Sequence, residues 1–83
     1  PLFSSQNVEV VGYPRPKIVG KDHLKFKARQ GREVLDAIGF GLAEHLELLY
    51  SGKPVELAYV LSENEWQGRK TIQLELKDIR VMN

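Results

Sequence analysis

The sequence predicts an all-β domain with one helix, and three observations support this fold class. The chain has 83 residues, 42% hydrophobic and 28% charged, which is typical of one globular domain. Apolar and polar residues alternate in several segments, as in strands with one buried face. A single segment, bounded by glycines, has helical spacing instead. The predicted order is three strands, a helix and two strands.

The first predicted strand is interrupted. Residues 1–6 are predicted to be a linker, and a strand pattern follows over residues 8–13. A Pro-Arg-Pro run at 14–16 breaks this pattern before it resumes at residues 17–19. Because proline cannot donate to the hydrogen-bond ladder, such a break indicates an edge, a bend or a bulge.

The second and third predicted strands form a hairpin. After the tight turn at Gln30-Gly31, residues 32–40 read as the third strand. Their apolar residues do not keep one parity, so a bulge near Gly39 or Gly41 is expected. In the second strand, residues 23–29, an apolar face alternates with a basic one: Leu24, Phe26 and Ala28 against Lys25, Lys27 and Arg29.

A helix and two strands complete the domain. Residues 42–49 have leucines at helical spacing between two glycines, which predicts a helix of roughly two to three turns that plugs one barrel end. The fourth strand is predicted over residues 53–62 and the fifth over residues 69–76. The polar stretch 62–70 between them is expected to be a loop, and it carries Trp66, the only tryptophan.

This order of elements is that of the OB-fold, a five-stranded Greek-key barrel predicted here for residues 7–83. OB-folds bind oligonucleotides and oligosaccharides on the face of strands 2 and 3 and in the 1–2 and 4–5 loops. The basic face of residues 23–29 would lie on strand 2, and Trp66 would lie in the 4–5 loop.

Composition argues against several classes of site in this chain. There is no cysteine, so disulfides and thiolate metal sites are excluded. His23 and His45 lie on different elements, and no nucleophile, phosphate loop or paired carboxylate is recognisable. We therefore predict no catalytic, cofactor or metal-binding residues. No apolar run reaches the length of a membrane span, and the cytoplasm is the default compartment.

Positive charge is clustered although the net charge is only +1. Residues 17–32 contain six of the twelve basic residues and one acid, Asp22. Steering of an acidic partner would therefore come from this cluster and not from total charge.

Four segments carry a family resemblance: DAIGFGL at 36–42, VELAY at 55–59, NEWQGRKTIQL at 64–74 and DIR at 78–80. Together they resemble the OB domain of RecJ, the bacterial single-strand-specific 5′→3′ DNA exonuclease. The first three residues also resemble the end of the family's connection from catalytic core to OB domain, and the chain lacks an initiator Met. We therefore expect a fragment whose catalytic core lies upstream.

The resemblance implies a function in the bacterial cytoplasm, in DNA repair and recombination. The OB domain of this family helps to hold single-stranded DNA against the nuclease core. Hydrolysis belongs to that core with its Mn or Mg ions, so the fragment itself would be no enzyme. The implied partners are single-stranded DNA and the core of the same parent chain, with a single-strand-binding protein as a further candidate.

The predicted binding residues combine cations for phosphates with an aromatic ring for bases. Stacking of a base on an aromatic side chain contributes about 1–3 kcal/mol, and each phosphate contact steepens the salt dependence. The candidates are Lys25, Lys27, Arg29, Arg32, Trp66, Arg69, Lys70 and Gln73.

Structural alternatives exist for these residues. Alternating lysines are typical of a solvated strand face, and Gln73 suits a cross-strand polar pair. Trp66 would alternatively fold over the barrel end against Tyr59 or Leu61, or pack on a neighbouring domain. Two other functions stay open, a protein-interaction module and an RNA-binding OB domain.

Overall fold

The computed structural model describes all 83 residues and consists mainly of strands. The elements, numbered in chain order, are β1 (Phe3–Val10), β2 (Lys17–Val19), β3 (His23–Gln30), β4 (Glu33–Gly39), a 3-10 turn (Ala43–His45), α1 (Leu46–Leu49), β5 (Val55–Trp66) and β6 (Arg69–Val81).

The six strands form one closed sheet in the order β1-β5-β6-β4-β3-β2. The sheet closes because β1 pairs with β3 as well as with β5. Every pairing is antiparallel except that of β4 with β6. This arrangement confirms the predicted OB-type barrel, all-β with one helix. The structure has six strands because the Pro-Arg-Pro run 14–16 divides the first predicted strand into β1 and β2.

β3 and β4 follow the predicted alternation, with one correction. They pair in unbroken register over the whole length of β4, so the bulge expected near Gly39 or Gly41 is wrong. The apolar residues of this segment do not all have the same parity because Ile38, an apolar residue, lies on the outer face opposite Lys25. The inward residues of β3 are buried, with exposures of 0%, 3% and 5% for Leu24, Phe26 and Ala28.

The helix region closes one end of the barrel. It is a 3-10 turn followed by a single α-turn, about two turns in all. The Ala43 N–H donates to the Asp22 carbonyl at 3.1 Å, which holds this region at the end where β3 begins. Leu49 belongs to the core, while Leu42 and Leu46 pack against it half-buried. The leucines thus cover the core, as their spacing predicts.

The hydrophobic core receives residues from every strand except β2. Leu24, Val55 and Leu57 are completely buried. The full core cluster is Val8, Leu24, Phe26, Ala28, Ala37, Leu49, Val55, Leu57, Leu74, Leu76 and Ile79. No polar or charged side chain is buried among them. Polar and charged groups are therefore left for the outer face.

β1 begins earlier than its polar sequence suggests. Phe3, Ser4 and Ser5 pair with β5, and the Phe3 ring stacks on Tyr59 with 5.9 Å between centroids. The hydroxyls of Ser5 and Tyr59 lie 2.8 Å apart in a hydrogen bond. The domain boundary expected at residue 7 therefore falls inside β1, and residues 3–5 pair as part of the barrel.

The polar stretch 62–70 forms a hairpin and not the expected loop. β5 and β6 stay paired out to Trp66 opposite Arg69. The two turn residues, Gln67 and Gly68, have φ angles of 49° and 78°, as in a type I′ turn. This turn matches the twist of paired strands, so the hairpin continues beyond the barrel. Its sequence lacks a clear alternation because neither of its faces is buried there.

Candidate functional site

The basic stripe of β3 lies on the outer face of the barrel. We use this name for Lys25, Lys27 and Arg29, which alternate with the buried residues of the strand. Lys27 donates from Nζ to Asp36 Oδ1 on β4 at 2.7 Å, so part of its charge is neutralised. Arg29 is exposed and forms no salt bridge. The stripe therefore presents cations to solvent along one strand.

Further cations lie beside the stripe and were not among the predicted site residues. Lys17 on β2 pairs directly with Lys25. Arg15, from the Pro-Arg-Pro run, lies over the ring of Tyr50 at 4.7 Å. These residues line a pocket of about 210 Å³ formed by Pro14, Arg15, Lys17, Lys25, Phe26, Lys27 and Asp36, the basic pocket hereafter. The proline interruption was the sequence signal for this pocket.

Trp66 is exposed at the end of the hairpin. Its exposed fraction is 68%, and the ring of Tyr59 stacks on Phe3 instead. The alternative in which Trp66 folds over the barrel end against Tyr59 or Leu61 is therefore wrong, since Leu61 lies on the other side of β5. The turn and the pairing of β5 with β6 fix the position of Trp66, although Trp66 is not part of the core.

Strand register shows which predicted residues share one side of the sheet. Residues directly opposite each other point the same way, and Lys27 pairs with Asp36 across β3 and β4. The parallel β4–β6 register then puts Gln73 on that same outer side. Arg69 lies on this side too, because side chains alternate along β6, and Trp66 of β5 is directly opposite Arg69. The basic stripe, Gln73, Arg69 and Trp66 therefore lie on one side of the sheet.

Lys70 and Arg32 do not share this arrangement. Lys70 lies on the opposite side of the hairpin, where its Nζ is 3.9 Å from Glu63 Oε1. Arg32 is exposed in the β3–β4 turn, next to Gly31 with its φ of 62°. The eight predicted residues thus separate into six on the common outer side and two elsewhere.

A surface groove connects the basic stripe with the base of the hairpin. Its volume is about 340 Å³, and Lys27 and Asp36 line it as they line the basic pocket. Val34, Leu35, Thr71 and Ile72 complete its walls. The basic pocket, the groove and the hairpin face therefore form a continuous path across β3, β4, β6 and β5.

Gln73 has a polar neighbour at the β5–β6 step of this path. It is half-buried and lies directly opposite Ser62, whose hydroxyl is buried without a hydrogen-bond partner within the chain. This placement agrees with a cross-strand polar position. It also leaves the Gln73 amide at the edge of the path.

One acidic group has a shifted pKa, and it lies away from the path. The hydrogen bond from Arg80 lowers the pKa of Glu56 below its usual value, and a second hydrogen bond from Gln6 acts in the same direction. Arg80 is occupied by this contact, so it is not a free cation. The Glu56–Arg80 pair is a structural contact between β5 and β6.

The side chain of His23 has structural contacts. His23 accepts the Gly41 N–H through Nδ1 at 3.2 Å, and its ring packs edge-on against Phe40.

No three or more His, Cys, Asp or Glu residues come together as a metal-binding group. No helix is long and apolar enough to cross a membrane. The chemistry that the surface offers is charge and stacking.

Comparison with known proteins identifies the family. The model of the RecJ OB domain matches residues 1–78. The single-stranded-DNA-specific exonuclease RecJ of Bacillus subtilis (strain 168) is 36% identical over 61 residues. This match covers 74% of the chain but 8% of that exonuclease, so the chain spans a small part of its relative. No solved structure matches the chain. The family match over nearly the whole chain, on a closed barrel of OB topology, shows that this protein belongs to the RecJ OB domain family.

Proposed function

We propose that this domain binds single-stranded DNA without base sequence preference, as part of a longer RecJ-like 5′→3′ exonuclease. The domain would hold the strand against the nuclease core of the parent. In this proposal the parent acts in DNA repair and recombination in the bacterial cytoplasm. The relative from Bacillus subtilis is named as an exonuclease specific for single-stranded DNA, and this substrate suits the surface described above.

The continuous outer path is the observation that carries the proposal. A single strand requires cations for its phosphates and aromatic faces for its bases, with little demand for base-edge hydrogen bonds. The basic stripe supplies the cations, and Trp66 supplies an exposed ring on the same side. The groove between them is lined by Lys27 at one end and by Thr71 of the hairpin. A flexible single strand can follow this curved surface.

Hydrolysis is assigned to the parent and not to this domain. Metal-dependent cleavage of a phosphodiester requires clustered acidic ligands, which this family has in its catalytic core. We propose that Mn or Mg acts there. The purified domain should release no nucleotides from single-stranded DNA in the presence of either metal, and such release would contradict the assignment.

Trp66 gives a direct test because it is the only tryptophan. Titration with oligo-dT at low salt should change its fluorescence, and replacing all three stripe residues with alanine should weaken the binding. The matched control replaces Lys53, an exposed lysine outside the path, with alanine. Unchanged fluorescence, together with equal affinity of the stripe variant, would refute the proposal. Competition between matched DNA and RNA oligomers tests the RNA-binding alternative.

A second candidate function, docking on the parent's own core, rests on a separate surface. Phe3, Leu61 and Ile72 are 41%, 49% and 49% exposed, although all three lie on the inward side of the sheet. They remain exposed because β1, β5 and β6 extend beyond the barrel core. Such an apolar row is typical of an interface between domains. Phe3 and Leu61 point away from the DNA path, whereas Ile72 also lines the groove of that path, so the docking surface and the path meet at Ile72.

A further inference from the structure

The loop between β1 and β2 carries an aromatic side chain with no structural role. Tyr13 is 90% exposed, the highest value among the large apolar residues. The loop is nevertheless anchored, because the Tyr50 hydroxyl donates to the Pro16 carbonyl at 2.8 Å and Arg15 stacks on the same Tyr50 ring. Pro16 itself is buried. Tyr13 thus extends into solvent from a fixed base.

The basic pocket beside this loop contains unbalanced positive charge. Arg15, Lys17, Lys25 and Lys27 line it, with Asp36 as its only acid. Lys27 already engages Asp36, so three cations have no carboxylate partner. Lys17 and Lys25 lie directly opposite each other on β2 and β3, an arrangement of like charges that destabilises a strand pair. An anion between them would relieve this repulsion.

We propose that the basic pocket holds a backbone phosphate of single-stranded DNA and that Tyr13 stacks on the adjacent base. The strand would then run from Tyr13 across the basic stripe to Trp66, with an aromatic platform at each end. This inference rests on the proposed function and extends it to a region outside the predicted site. Four inter-strand steps separate β2 from β5, about 19 Å around the barrel at the usual strand spacing.

The chemistry of the loop favours a nucleic acid over a free phosphate ion. The pocket opens along the outer face and shares Lys27 and Asp36 with the adjoining groove, so a polymer can continue through it. An exposed aromatic ring next to the pocket would add nothing to the binding of a free ion. It would add stacking for a nucleotide, and this stacking is independent of base sequence.

The test uses the 83-residue chain, which closes its own barrel, and fluorescently labelled oligo-dT in anisotropy titrations over a range of salt concentrations. Oligomers of about 4 and about 16 nucleotides represent the two ends of the OB-fold site-size range. The variants are Tyr13→Ala, Tyr13→Phe and Lys17→Ala. Lys53→Ala is the matched control for Lys17, because it removes an exposed lysine outside the basic pocket. Circular dichroism melting checks that each variant folds.

The inference predicts that Tyr13→Ala weakens binding of the longer oligomer by about fivefold or more, while Tyr13→Phe keeps the affinity. Lys17→Ala should reduce the slope of log K against log salt by about 0.7, and Lys53→Ala should leave it unchanged. Inorganic phosphate should compete weakly, since it cannot stack.

The contrary results separate this inference from the proposed function. If either Tyr13→Ala or Lys17→Ala binds like the unmodified chain while the stripe variant is weakened, this inference is overturned and the proposed function stands. Equal loss in Tyr13→Ala and Tyr13→Phe would overturn the stacking role. If the unmodified chain does not bind oligo-dT at low salt, both the proposed function and this inference fail.

Discussion

Replacing Asp36 with asparagine should strengthen the binding of single-stranded DNA. Asp36 lines both the basic pocket and the groove, where its negative charge opposes an incoming phosphate. It also holds the Lys27 ammonium at 2.7 Å. The amide keeps the shape of the side chain, removes the charge and releases Lys27 for the DNA.

The magnitude follows from the exposure of the pair. The side chains of Lys27 and Asp36 are 41% and 37% exposed, so solvent screens their interaction, and such pairs contribute about 0.2–1 kcal/mol. If Lys27 no longer has to break this interaction in order to bind DNA, the affinity rises by up to about fivefold. The free energy of unfolding should fall by a similarly small amount.

Anisotropy titration with labelled oligo-dT at fixed salt measures the effect. Glu56→Gln is the matched control, because it makes the same chemical change in a pair with Arg80 outside the path. At physiological salt the Debye length is about 8 Å, so the control should leave the affinity unchanged. Weaker binding by Asp36→Asn would show that Asp36 positions Lys27, and it would refute the reasoning.

Three further substitutions separate binding from folding. Trp66→Ala should weaken oligo-dT binding by about 1–3 kcal/mol while the melting temperature stays constant, since the ring is exposed; a lower melting temperature with unchanged affinity would contradict this. Leu57→Ala should reduce the free energy of unfolding in urea by about 2–5 kcal/mol because Leu57 is fully buried, and a loss well below this range would show that the core is not as described. Glu56 has a lowered pKa in the folded state, so its ionised form stabilises the fold above the ordinary value of 4.5, and this contribution is lost as the pH falls through the lowered pKa. Glu56→Gln should therefore be less stable than the unmodified chain at neutral pH, and this difference in the free energy of unfolding should disappear as the pH is lowered. A pH-independent difference would argue against the Arg80 contact.

The barrel could be predicted where one face of a strand is buried. Residues 23–29 alternate because Leu24 and Phe26 enter the core while Lys25 and Lys27 meet solvent. The same logic located the helix, whose Leu49 is buried. Periodicity is thus informative in proportion to the contrast between the two sides of an element.

The hairpin and the start of β1 were missed because that contrast is absent. Both faces of β5 beyond Ser62 are exposed, so composition there is that of a loop, and only Gln67-Gly68 marked the turn. In β1 the residues Ser4 and Gln6 are exposed, so the paired segment has the polar composition of a linker. These segments are strands only because their backbones pair, and such pairing does not require an alternating pattern of hydrophobic residues.

The candidate site could be predicted in its parts but not in its assembly. The basic stripe was visible within one strand, and Trp66 stood out as the only tryptophan. The pairing of Lys17 with Lys25 and the separation of Lys70 from Trp66 depend on register between strands. A shift of one residue would reverse every side chain, and no single segment contains that information.

The salt dependence of oligo-dT binding tests the central claim most directly. Each phosphate neutralised on a single strand contributes about 0.7 to the magnitude of the slope of log K against log salt, so the three stripe residues together account for about 2 of it. Replacing them with alanine should therefore lower the magnitude of the slope by about 2. A slope that is the same in both proteins, or the absence of binding at low salt, would contradict the assignment of the outer path as the DNA-binding surface.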